Sequence, residues 1–129
     1  MLERIVIPDS FGANMYSHAV RVGELLFCSG ITARTSDGSI FAPDVESQLA
    51  YCFGRLRSVL DHVGSTPADI VKLTMYLVRA EDGPALSHAK RNFVGDVLPA
   101  TTSLVVAALS DPQLLCEIDA ICVVGKPRG

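Results

Sequence analysis

The sequence predicts an α+β fold with two layers, in which two helices lie on one face of a sheet of about six strands. Two segments repeat apolar residues at helical spacing, whereas six short segments are β-branched or alternate apolar with polar residues. These elements follow one another in the order β-β-β-α-β-α-β-β. The 129 residues suffice for one core and contain no linker or repeat, so a single domain is expected over residues 1–129.

Three strands are predicted before the first helix, at residues 4–7, 19–22 and 25–29. A tight turn at Gly23 and Glu24 joins the second strand to the third. A turn-rich loop follows at residues 35–39.

Both helices are predicted from an apolar stripe with polar residues on the opposite side. Asp44 is a suitable N-cap for the first helix, which Gly64 ends, and Gln48 lies on its polar side. Residues 82–84 open the second helix with a proline near its first position, and Pro99 stops it.

The remaining strands are predicted at residues 70–78, 102–108 and 116–124. The strand at 70–78 alternates, and its apolar set is expected on the buried face: Val71, Leu73, Met75 and Leu77. The last strand is apolar at nearly every position, which is typical of a strand covered on both faces.

The composition limits the classes of partner. Hydrophobic residues make up 49% of the chain, so the sheet face without helices is expected to pack against other subunits. The net charge is −3, and the basic clusters at 90–91 and 126–128 are too small for a nucleic-acid surface. Glu3 and Arg4 interrupt any signal peptide, and the longest apolar run, 104–109, is too short to span a bilayer. A cytoplasmic protein without nucleic-acid or membrane partners is expected.

The cysteines and histidines form no metal or disulfide pattern. Cys116 and Cys122 lie on one predicted strand about 20 Å apart, beyond the reach of a disulfide. Together with Cys28 and Cys52 they are interpreted as buried thiols in a reducing compartment. The three histidines are not clustered, so neither a metal nor a cofactor is expected.

Two carboxylates lie within the last predicted strand. Glu117 and Asp119 are two residues apart, which places both side chains on one face, about 6.5 Å apart by strand rise. Because an unpaired carboxylate is costly to remove from water, both acids require a partner, an internal water or a catalytic task. The alternative is a strand end at a sheet edge, where both acids are solvated or paired with Lys or Arg.

Polar residues interrupt the apolar pattern in four places: residues 12–18, 28–30 and 99–103, and Glu117. Taken together and in this order, they resemble the Rid superfamily of reactive intermediate (enamine/imine) deaminases, also called YjgF-type proteins. The most specific match is residues 116–122, where the family has a Val-Glu-Ile-Glu-Ala-Ile-Ala strand.

The other matching segments extend the resemblance over almost the whole chain. They correspond to the family's Gly-Pro-Tyr-Ser-type, Val-Ser-Gly, Ala-Gly, Val-Lys-Thr and Pro-Ala-Arg-Ser/Thr segments, and they lie at residues 14–20, 28–30, 63–64, 71–74 and 99–102. The resemblance implies a chorismate-mutase-like fold with a mixed sheet. It also implies a homotrimer with three clefts, each lined by residues of two subunits, that bind a small-molecule substrate.

Thr101 stands where the family has the arginine of Pro-Ala-Arg. In the deaminase branch that arginine binds the carboxylate of small 2-imino acids through a bidentate ion pair. Threonine offers one hydroxyl and no charge, so the loss is about 3 kcal/mol of anchoring, or about a hundredfold in affinity. The resemblance therefore implies a larger or differently anchored substrate, for example a 2-aminomuconate-type product of aromatic ring cleavage.

The retained residues imply hydrolysis of a C=N bond. Glu117 is expected to have a raised pKa, suited to taking a proton from water and returning it to a leaving amine. Ser29 is expected to orient water or substrate, Gly30 to present its backbone N–H, and Tyr16 to close over the ligand. Ser103 lies where deaminases place a backbone group that contacts the substrate amine.

Other readings of the same residues stay open. Glu117 can be a structural acid that pins its strand, and the trimer can bind a metabolite or a partner protein without catalysis. Ribonuclease action is the least favoured, because the chain is acidic and has no pair of histidines. The cations that can replace the missing arginine are His18, His88, Lys90 and Arg91, although Lys90 and Arg91 on a helix are more often solvated.

Overall fold

A computed structural model of the chain describes residues 2–124 and shows a mixed sheet of six strands with two helices. The strands are Leu2–Ile5 (β1), Ala19–Val22 (β2), Leu25–Cys28 (β3), Ile70–Leu77 (β4), Ala100–Val105 (β5) and Cys116–Val123 (β6). The helices are Val45–His62 (α1) and Gly83–Val94 (α2). The strand order is β1-β2-β3-β6-β4-β5, and all neighbours are antiparallel except β4 and β5. The predicted fold class and element order are confirmed.

The two faces of the sheet differ in cover. The inner face packs under the helices, and its β6 side chains are fully buried: Cys116, Ile118, Ala120 and Cys122. The side chains that alternate with them on β6 are half-buried on the outer face. The apolar run predicted that β6 is covered on both faces, and for a single chain this prediction is wrong. The run looks two-sided because Ile121 and Val123 are apolar residues on the outer face.

Helix α1 starts as predicted and also anchors the strand that carries Glu117. The Asp44 carboxylate accepts a hydrogen bond from the Ser47 backbone N–H at 2.9 Å. Gln48, predicted on the polar side, is fully buried. Its amide Nε2 donates to the carbonyl of Gln113 at 2.9 Å, and its Oε1 accepts from the Leu115 N–H at 2.8 Å. These two bonds tie the helix to the residues that lead into β6.

Several element boundaries differ from the prediction. Strand β1 begins and ends two residues early, and β5 covers 100–105 rather than 102–108. Helix α2 ends at Val94, before the predicted stop, because Gly95 takes a φ of +60° that leaves the helix. Val71 is exposed rather than buried, because a register shift between Ile70 and Lys72 displaces it from the alternation.

The predicted hairpin and the buried cysteines are confirmed. Val22 pairs with Leu25 across the two-residue turn, where Gly23 has a φ of +59°. All four cysteines are buried and unbridged. Within residues 2–124 neither α1 nor α2 combines the length and hydropathy that a bilayer crossing requires. The predicted basic cluster at 126–128 lies outside the described residues.

Candidate functional site

Glu117 lies on the outer face of the sheet, next to the end of β3. Its register partner on β4 is Tyr76, and its side chain is half-buried. A Cβ at Gly30 would collide with the Glu117 carboxylate oxygen Oε2. Only glycine at this position therefore lets the carboxylate lie directly against the backbone. Within the described part of the chain, no group donates a hydrogen bond to this carboxylate, so it is open to a water or a ligand.

The surroundings of Glu117 favour its protonated form. Burial raises the pKa of the carboxyl above its usual range, and the negative charge of Asp119 on the same face raises it further. Asp119 itself accepts a hydrogen bond from the Tyr76 hydroxyl at 2.8 Å. That hydrogen bond is the main reason why the pKa of Tyr76 is raised. The two acids on this face thus differ: Asp119 is hydrogen-bonded to Tyr76, whereas Glu117 faces the open cavity.

A cavity of about 350 Å³ brings Glu117 together with three other predicted site residues, Tyr16, Ser29 and Gly30. The Ser29 hydroxyl donates to the Ser17 carbonyl at 2.6 Å. Its proton is therefore engaged, and the oxygen retains acceptor capacity for a water or an amine. Ser29 and Gly30 also line a second cavity of about 530 Å³ toward α1, so these two residues border two neighbouring spaces.

The Tyr16 ring is held by packing on a glycine. Gly12 has a φ of +89°, and a Cβ there would collide with the Tyr16 ring. The ring also meets the His18 imidazole edge-to-face, with centroids 5.8 Å apart. The Tyr16 side chain remains 38% exposed, which suits a residue at the rim of the cavity.

His18 is a structural residue. Its Nδ1 accepts from the Ile7 backbone N–H at 2.8 Å, and its Nε2 lies 2.8 Å from the Phe11 carbonyl. These partners select the neutral tautomer with the proton on Nε2. His18 thus has no free ring nitrogen for a substrate.

Arg34 lines the Glu117 cavity and was missed by sequence reasoning. A two-way bridge between the backbones of Ile31 and Ile118, with N···O distances of 2.7 and 3.0 Å, brings the segment after β3 alongside β6. The Arg34 guanidinium donates to the Gly38 carbonyl at 2.9 Å and lies 3.5 Å from the Asp111 carboxylate. Its position follows from this tertiary bridge, for which the sequence carries no local signal.

Thr101 and Ser103 lie away from Glu117 within one chain. On the edge strand β5 they are the register partners of Leu73 and Met75, which belong to the inner face. They line a separate cavity of about 310 Å³ between β5 and α2. The structure therefore brings Tyr16, Ser29, Gly30 and Glu117 together, whereas Thr101 and Ser103 lie on the opposite face of the sheet.

The helix cations occupy different environments. Lys90 lines the same cavity as Thr101 and Ser103. His88 and Arg91 are exposed, and His88 lies 3.2 Å from the Asn92 amide nitrogen. Among residues 2–124, no three His, Cys, Asp or Glu side chains are placed to share a metal ion.

Known proteins are similar to this chain in sequence and in fold. A RutC family protein of Pyrococcus abyssi is 28% identical over 107 residues, which are 82% of this chain and 84% of the relative. A protein of Dermatophagoides farinae named 2-iminobutanoate/2-iminopropanoate deaminase is 26% identical over 112 residues, covering 84% and 85% of the two chains. The structure of a Rid-family protein of unknown function from Yersinia pestis superposes with a TM-score of 0.88 at 25% identity, covering 96% of this chain and 100% of that one.

The family model with the description Endoribonuclease L-PSP matches residues 8–124. This range contains every predicted site residue. The match agrees with the mixed six-stranded sheet and with the resemblance carried by residues 116–122. The chain belongs to this family, which is also known as the YjgF, RutC or Rid family.

Proposed function

We propose that the protein is a homotrimeric enamine/imine deaminase-type hydrolase that releases ammonia from a small-molecule C=N intermediate. The observation that carries the proposal is the Glu117 carboxyl, which is half-buried, has a raised pKa, faces a cavity and accepts no hydrogen bond from any described residue. A carboxyl with a pKa above its usual range that is open to a cavity suits both taking up and returning a proton. A structural acid that pins its strand would instead have a partner, as Asp119 has in Tyr76.

The chemistry needs one group that moves a proton twice. The Glu117 carboxylate takes a proton from water while the water oxygen bonds to the iminium carbon, which gives a carbinolamine. The protonated Glu117 then returns the proton to the nitrogen, the C–N bond breaks, and ammonia leaves. The remaining carbon becomes a carbonyl when its hydroxyl proton is lost to solvent. Ser29 orients the water through its free lone pairs, and the Gly30 N–H contacts the substrate.

The outer face of the sheet supports a trimer. Apolar side chains of three neighbouring strands continue one another across it: Val20, Val22, Leu25, Phe27, Ile121 and Val123. Phe27 is 42% exposed in the single chain, and exposed aromatic residues in a continuous apolar patch are typical of an interface between copies. In the trimer, Thr101 and Ser103 of one subunit would complete the Glu117 cavity of the next. This arrangement accounts for their separation within one chain.

The substrate of this chain would differ from that of the related deaminases. Thr101 has no charge to hold the carboxylate of a small 2-imino acid, and it leaves room beside Ser103. A larger anionic enamine, such as a 2-aminomuconate-type compound, fits these two features. The unbridged buried cysteines support a reducing compartment, which we take to be the cytoplasm.

The decisive experiment measures ammonia release from a panel of enamines and imines. Glu117→Gln is expected to lower the rate by about a hundredfold or more, the usual contribution of general acid–base catalysis. Asp61→Asn serves as the control, because it removes the charge of an exposed acid of α1 that lines none of the three cavities. Equal rates for Glu117→Gln and the unaltered protein would exclude this mechanism.

A second candidate is a trimer that binds a metabolite or a partner protein at the cleft without turnover. The replacement of the anchoring arginine by Thr101 favours it. Thr101→Arg discriminates the two, because it should create 2-iminopropanoate hydrolysis if the rest of the site is catalytic. A Thr101→Arg protein that hydrolyses none of the panel would favour the binding role.

Ribonuclease action, which the description of the family model names, is disfavoured by charge. The chain carries a net charge of −3, and Glu117 and Asp119 together would repel a phosphodiester. RNA cleavage that survives stringent purification and disappears in Glu117→Gln would reverse this ranking.

A further inference from the structure

The cavity between β5 and α2 contains a positive charge. The Lys90 side chain on α2 lines it together with the hydroxyl residues Thr101 and Ser103 of β5. Its floor is apolar and is formed by Met75, Leu77 and Leu86. The cavity measures about 310 Å³ and is lined on one side by β5, which is an edge strand.

Lys90 has no hydrogen bond or ion pair within residues 2–124. The other described lysine, Lys72, donates to the Thr102 hydroxyl at 2.6 Å on the outer face. Arg79, which closely precedes α2, forms an ion pair with the Asp82 carboxylate, with an N···O distance of 3.0 Å. Lys90 as a residue is partly buried, whereas its neighbour Arg91 is exposed. Water screens the attraction between an anion and a cation less inside a partly enclosed cavity than on an open surface.

We propose that Lys90 binds the anionic end of the substrate and so replaces the arginine that is missing at position 101. The inference rests on the proposed function, since it assigns a substrate class to the same cleft. Lys90 reaches the cavity from the helix, whereas an arginine at 101 would reach it from the strand. Thr101 and Ser103 add a hydroxyl each to the β5 side of the same cavity.

This position determines which substrates fit. An anion held by Lys90 on α2 lies farther from β5 than a carboxylate held by an arginine at position 101 of β5. The negative group is therefore separated from the C=N carbon by a spacer, and the apolar floor of Met75, Leu77 and Leu86 covers that spacer. The substrate class is an enamine or imine with a distal carboxylate. The Lys90 ammonium is a compact charge and lacks the planar guanidinium of arginine, so it binds the distal carboxylate without requiring a bidentate geometry.

The test compares two keto acids that differ only at the distal end. 2-Oxoadipate and 2-oxohexanoate have the same six carbons and the same keto acid head, but only 2-oxoadipate has a distal carboxylate. Their dissociation constants are measured by calorimetry for the unaltered protein, Lys90→Met, Lys90→Arg and Arg91→Met. Neither compound has a C=N bond, so the measurement does not depend on turnover.

The unaltered protein is expected to prefer 2-oxoadipate by about tenfold or more, the value of one charge-assisted contact. Lys90→Met should abolish this preference, whereas Lys90→Arg should keep most of it. Arg91→Met should leave it unchanged, because Arg91 is the exposed neighbour on the same helix.

The absence of a preference in the unaltered protein, or its persistence in Lys90→Met, would overturn the proposal. Failure of ammonia release in the enamine panel would overturn the hydrolase function and leave this binding result standing.

Discussion

The two faces of β6 are built from the same strand but have different physical roles. The inner side chains, such as Ile118, have no exposed surface and belong to the core. The outer side chains keep part of their surface, and two of them are carboxylates. Half-burial raises the pKa of Glu117 while leaving it accessible, which full burial would not allow. The strand shows that a site can be placed directly on the back of a core with no intervening loop.

The largest expected effect is on the inner face. Ile118→Ala should lower the free energy of unfolding by about 2–5 kcal/mol, because it opens a cavity in a fully buried site. Ile121→Ala removes the same atoms from the outer face of the same strand and should cost less. Urea denaturation at several protein concentrations measures both. Equal losses at the lowest concentration, at which the proposed trimer would dissociate, would show that the two faces do not differ in this way.

The next largest expected effect is a loss of self-association. Phe27→Glu places a charge in the apolar outer patch and should weaken self-association by about a hundredfold, since a buried phenylalanine contributes about 1.5–3 kcal/mol. Leu98→Glu is the matched control, because Leu98 is an exposed apolar residue outside the sheet. Sedimentation velocity gives the mass of each variant. A Phe27→Glu protein with the mass of the unaltered one would place the interface elsewhere.

Gly30→Ala should act on the site rather than on the core. The new methyl displaces the Glu117 carboxylate, whose side chain can move, so ammonia release should fall by about tenfold while stability changes little. Gly54→Ala is the control, because a Cβ at Gly54 meets nothing within 4 Å. Initial rates on the best substrate of the panel measure the effect. An unchanged rate for Gly30→Ala would mean that the position of the carboxylate is not critical.

The smallest expected effect is a pH dependence of stability. Because the pKa of Glu117 is raised above its ordinary value of 4.5, the folded state binds more protons than the unfolded state above that pH. Stability from this group is therefore present at low pH and declines as pH rises through the raised pKa. Glu117→Gln cannot ionise, so its melting temperature relative to the unaltered protein should increase between pH 4.5 and neutral pH. A constant difference over that range would contradict the raised pKa.

Much of the fold could be predicted because its signals are local. The Asp44 cap, the turn at Gly23 and the alternation of Leu73, Met75 and Leu77 in β4 each depend on residues close in sequence. The raised pKa expected for Glu117 also followed from its apolar neighbours. Gln48 could not be placed, because its burial depends on two bonds to residues 113–115, far along the chain.

The candidate site was less predictable for the same reason. Arg34 enters the Glu117 cavity only because a backbone bridge joins Ile31 to Ile118. Lys90 and Arg91 are adjacent in sequence, and only the packing of α2 against the sheet decides which of them faces a cavity. Element type is a local property, whereas the convergence of side chains on one space depends on tertiary contacts.

The separation of the two cavities on opposite faces of the sheet has an evolutionary consequence. In the proposed hydrolase, substitutions in β5 and α2 would change which molecule is selected without disturbing the packing that raises the pKa of the acid on β6. Substrate specificity could then diverge among related proteins while the reactivity of the carboxyl on β6 is preserved.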